Sequence, residues 1–94
     1  EPFDVHEAHR IGLVNRVVSV DALDGEVRNV VDALRHGPVH ALRATKRLLR
    51  ESPHRSLSEQ LHAEALSFGN CSAHDDFAEG INAFVAKRPP RFTG

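Results

Sequence analysis

The histidines stand out first: seven occur in 94 residues, and His6-Glu7-Ala8-His9 sets two of them around a glutamate, as a metal-binding helix would. A zinc hydrolase of this kind needs two residues between the glutamate and the second histidine, which puts both imidazoles one turn apart with the carboxylate free to act as a base. Here a single residue intervenes, and His36, His40, His54, His62 and His74 are scattered over mostly polar positions, so no metal site is expected. Cys71 has no histidine set to deprotonate it and reads as a small filler. Glu59 with Glu64, and Asp75 with Asp76, have the right chemistry for proton transfer. The first pair, however, flanks a helix start, and the second sits where a helix dipole favours negative charge. Arg43, Lys46, Arg47 and Arg50 form a basic stripe suited to an acidic partner, without the interleaved aromatics of a nucleic-acid surface.

These side chains must be positioned by helices. Asp4 caps a short one carrying Val5, Ala8 and Ile11, and Gly12 ends it. Residues 13–18, Leu-Val-Asn-Arg-Val-Val, are too β-branched and too few for another helix and read as a short strand or extended connector. From Asp21 to His36, Leu23, Val27, Val30, Val31 and Leu34 fall on one helical face, stopped by Gly37 and Pro38. A helix near Val39–Glu51 turns Leu42, Leu48 and Leu49 inward, opposite the basic stripe. Ser56 and Glu59 make a capping box before a stripe of Leu57, Leu61, Ala65 and Phe68 that Gly69 closes. Ser72 or Asp75 starts a last helix with Phe77, Ile81, Phe84 and Val85, ended by Lys87-Arg88-Pro89-Pro90. The fold class expected is mostly α: four to five amphipathic helices and one short strand near residues 13–18. Each apolar stripe requires a partner, and any stripe left uncovered should drive association.

Composition narrows the function. Twelve Lys and Arg against thirteen Asp and Glu leave a formal charge of -1, so no bulk field draws the chain to nucleic acid or anionic lipid. One cysteine cannot form an internal disulfide, which suits a reducing compartment, with cytoplasm as the expectation. No apolar run approaches the ~20 residues of a membrane span. The chain begins with Glu1 rather than Met, which suggests a piece of a longer protein.

Three stretches carry a family likeness: residues 1–18 with Ala8-x-x-x-Gly12-Leu13-Val14, residues 37–46 from Gly37-Pro38 to Thr45-Lys46, and residues 75–92. The most specific pattern is Glu79-Gly80-x-x-Ala83-Phe84-x-x-Lys87-Arg88-x-Pro90. Together they resemble the C-terminal third of enoyl-CoA hydratase/isomerase proteins, the crotonase superfamily. The resemblance implies that residues 1–94 are the C-terminal helical domain, serving assembly and coenzyme A contact, without the N-terminal catalytic core. That core holds the thioester oxygen with two backbone N–H groups as it becomes an enolate, and moves protons with carboxylates. No catalytic residue is therefore carried onto this chain.

The resemblance further implies a homo-oligomer, trimer or hexamer, and an acyl-CoA or enoyl-CoA thioester as substrate of the parent enzyme, with coenzyme A as part of that substrate rather than a separate cofactor. It places Phe68 and Lys87 at the adenosine end of coenzyme A, the ring against adenine and the cation near phosphate. Read from the residues alone, Phe68 continues an apolar stripe and Lys87 is a solvated helix-end cation. Two other functions stay open: a stand-alone helical module with a basic face for an acidic partner, and a purely structural assembly domain.

Overall fold

In a computed structural model, described here for residues 2–93, five α-helices carry the chain: α1 (Val5–Arg10), α2 (Leu23–Arg35), α3 (Val39–Glu51), α4 (Leu57–Ser72) and α5 (Asp75–Ala86). The expected helical class holds. Two compact units are formed, residues 1–32 and 33–94.

In the first unit the Asp4 carboxylate accepts the Glu7 N–H at 2.9 Å and starts α1. Gly12, at φ 82, turns the chain out of it, and the Leu13 N–H returns to the Ala8 carbonyl at 2.9 Å. Ala8 is buried beneath this turn. The strand expected near residues 13–18 does not form. The segment runs without a ladder partner, since no other extended segment among the described residues stands beside it; β-branching alone cannot make a sheet. A side-chain ion pair from Arg16 to Glu26 ties it to α2 instead.

In the second unit α3 packs on α4 and α4 on α5. The Ser56–Glu59 capping box is present, the Ser56 Oγ accepting the Glu59 N–H and the Glu59 carboxylate accepting the Ser56 N–H at 2.8 Å. Helix α4 runs past Gly69 to Ser72, because a helical glycine costs only about 1 kcal/mol and the neighbouring residues continue the helix. Of the two starts expected for the last helix, Asp75 is the one that opens α5, and Ser72 ends α4. The cap is His74, its Nδ1 accepting the Asp76 N–H at 3.1 Å. Leu49, expected inward, is exposed.

The interior is thin. Ala8 and Ala83 are the buried apolar residues among those described, and the stripes of α2, α4 and α5 lie open, with Phe84 85% exposed. No described helix is long and apolar enough to cross a membrane.

Candidate functional site

The densest polar arrangement forms where α5 ends. Lys87 takes the left-handed conformation, φ 55 and ψ 43, at the position where a helix usually places glycine. Its N–H reaches the Phe84 carbonyl at 3.2 Å and the Arg88 N–H reaches Ala83 at 3.0 Å, which closes the helix in a Schellman-type turn. The chain then folds back along α5. The Arg88 guanidinium donates to both Glu79 oxygens, at 2.7 and 2.9 Å, and the Arg91 N–H donates to Glu79 at 2.7 Å. Further back, Asp76, 5% exposed, accepts from both the N–H and the hydroxyl of Thr93, at 2.8 and 3.2 Å. The ring of Phe92 lies over Gly80.

The Arg88 hydrogen bonds, followed by the Arg91 N–H, hold the Glu79 carboxyl at about 2, below its ordinary 4.5. A depressed carboxyl contributes its stabilisation above the unfolded value and loses it as pH falls through the folded one. The fold-back is therefore expected to hold at neutral pH, weaken below about pH 4.5 and release near pH 2. Amide exchange at Arg91 followed across pH 5 to 2, against that of the α4 interior, checks this. Release already complete at pH 4 would contradict it.

Phe68 lies in α4, 64% exposed, with Phe77 of α5 edge-on to it at 5.9 Å between centroids and an interplanar angle of 89°. Lys87 is exposed at the end of α5. Among the described residues no ion pair involves it. Both sequence-derived residues thus lie at the surface of the second unit. Neither lines the apolar hollow of about 320 Å³ walled by Phe77, Ile81, Phe84 and Phe92, where His40 and His74 stack at 4.8 Å.

The other candidates have structural tasks. Glu59 is held by the capping box, and Glu64 accepts from Gln60 at 3.1 Å. The basic stripe divides: Arg43 and Arg47 line a groove between α3 and α4 with Arg55, while Lys46 and Arg50 do not. Arg55 is itself engaged by Glu51 at 2.5 Å. Cys71 is half-buried and free. Among the described residues no group of three or more His, Cys, Asp or Glu is placed to hold a metal ion. Sequence reasoning missed the burial of Asp76, which it assigned to the helix dipole; its partner Thr93 lies 17 residues away, and no local pattern links them.

This arrangement of helices is that of a known enzyme class. An enoyl-CoA hydratase from Polaromonas sp. JS666 superposes with a TM-score of 0.93 at 33% identity, over 98% of this chain and 36% of that one. Residues 1–94 match the family model described as enoyl-CoA hydratase/isomerase. The chain therefore belongs to the enoyl-CoA hydratase/isomerase family and corresponds to its C-terminal region. It is 39% identical over 90 residues to a probable enoyl-CoA hydratase of Mycobacterium bovis, spanning 96% of this chain and 35% of the relative. It is 36% identical over 86 residues to a crotonyl-CoA hydratase of Syntrophomonas wolfei, spanning 92% and 33%. The chain spans about a third of the length of these relatives.

Proposed function

We propose that these residues form the C-terminal helical part of an enzyme that hydrates or isomerises enoyl-CoA thioesters in fatty acyl-CoA metabolism. In this reading the segment does no chemistry itself. It supplies subunit contacts and, through Phe68 and Lys87, part of the surface around the adenosine end of coenzyme A. One observation carries it: helices whose sequences are strongly striped leave those stripes uncovered, from Leu57 and Leu61 to Phe84 and Val85. Such faces call for cover, and a catalytic core preceding this segment, together with neighbouring subunits of a trimer or hexamer, would provide it. The family match over residues 1–94 and relatives named as hydratases of acyl-CoA thioesters support the substrate class.

The alternative, a basic face for an acidic partner, has the Arg43–Arg47 groove in its favour. The engagement of Arg55 by Glu51 and a groove lining without Phe, Tyr or Trp weigh against it.

In the full-length protein, Phe68→Ala is expected to weaken coenzyme A binding about tenfold, the usual worth of one base stacked on an aromatic ring. Lys87→Ala should weaken it about fivefold, as loss of one charge-assisted contact does. Isothermal calorimetry gives the affinities and sedimentation the oligomeric state, which should not change. Unaltered affinity in both variants would retire the two assignments.

A further inference from the structure

Lys87 is held by contacts on both sides of its turn. A lysine at φ 55 adopts a backbone conformation that side chains with a Cβ disfavour, and it persists only where its surroundings over-determine it. Here they do so from both sides. Before it, α5 ends in the turn that returns the Lys87 and Arg88 N–H groups to Phe84 and Ala83. After it, Glu79 grips the Arg88 side chain through two hydrogen bonds and the Arg91 backbone through a third. One carboxylate thus fixes the direction in which the chain leaves Lys87 and neutralises the adjacent guanidinium.

We propose that Glu79 is a positioning residue for Lys87, holding the αL turn so that the ammonium is presented to a phosphate of coenzyme A, while Arg88 is kept as a structural cation. This rests on the reading of Lys87 as a coenzyme A contact. Long flexible side chains on a mobile backbone lose most of a point contact to disorder, so fixing the backbone strengthens the contact without touching the ligand. The effect expected of Glu79 is opposite in sign to that of simple electrostatics. Removing the Glu79 charge leaves the region more positive, which alone would tighten binding of an anion. Loss of positioning weakens it.

The test uses the full-length protein, with coenzyme A and its 3′-dephospho form as probes, in Glu79→Gln, Lys87→Ala and the double variant. Expected are a three- to tenfold loss of coenzyme A affinity in E79Q, the same preference between the two probes as in K87A, and no further loss when E79Q is added to K87A. Tighter or unchanged binding in E79Q, or losses that add in the double variant, would overturn the positioning role while leaving Lys87 as a contact. Unchanged binding in K87A would instead remove the contact itself, and the positioning role with it. Should E79Q fail to fold, Glu79→Asp keeps the charge but shortens the reach, so the same loss is expected there and its absence counts against the proposal.

Discussion

Purified by itself, the 94-residue chain is expected to self-associate at micromolar concentration, to bind an apolar dye strongly and to show no enoyl-CoA hydration above buffer. Two compact units of about 3.5 and 6.9 kDa would together expose about 6,400 Å² by the usual scaling of surface with mass, whereas this chain exposes 8065 Å². The excess, about 1,600 Å², equals the total surface buried in one standard protein interface. Many Leu, Ile, Val and Phe side chains are exposed, and apolar exposure is costly in water at roughly 25 cal/mol per Å². Sedimentation velocity and dye fluorescence measure the first two outcomes, and a spectrophotometric hydration assay the third. A monodisperse, dye-silent 10.4 kDa monomer would mean that the stripes need no cover, and measurable hydration would mean that the chemistry lies within these residues.

The second large effect is expected at Asp76. Its carboxylate is buried and accepts from both hydrogen-bond donors of Thr93, so Asp76→Ala removes two charge-assisted hydrogen bonds together with a favourable charge in the first turn of α5. Hydrogen bonds to a charged group are worth about 1.5–3 kcal/mol, and a charge near a helix end about 0.3–1 kcal/mol. A loss of about 2–3 kcal/mol in the protection of the Thr93 amide follows, read by hydrogen exchange. Asp76→Asn, which keeps an acceptor oxygen and the side-chain volume, should lose less. Protection in the alanine variant within about 0.5 kcal/mol of the original would mean that Asp76 does not hold the tail.

The helices themselves were legible because their signals are local. The stripe spacing located α2 to α5, and Asp4, Gly12 and the Ser56–Glu59 box marked ends through groups three or four residues apart. Where the reading failed, the deciding interaction was unusual or distant. Histidine is a rare N-cap, so the cap that His74 sets before Asp75 carries no sequence signal. Val17 and Val18 favour a strand, but pairing needs a neighbour, and among the described residues none forms a ladder with them. Leu49 fits the inward stripe of α3 and still lies outside, since one helix face is wider than the contact it makes. Of the candidate site, Phe68 and Lys87 came from family likeness alone. The clamp around Lys87 depends on Glu79 meeting residues nine and twelve positions away, a distance at which periodicity carries no information.

Lys87 also shows where stability and usefulness part company. Glycine at its left-handed position would lighten the backbone's burden, and asparagine would tolerate it better than lysine does. An engineer optimising this segment for heat resistance would be drawn to that exchange and would see a higher melting temperature. On the proposed reading of Lys87 the gain would be misleading, because the same exchange removes the ammonium that would meet coenzyme A. If Lys87 acts as proposed, a substitution that strengthens the fold here is a substitution that disarms it.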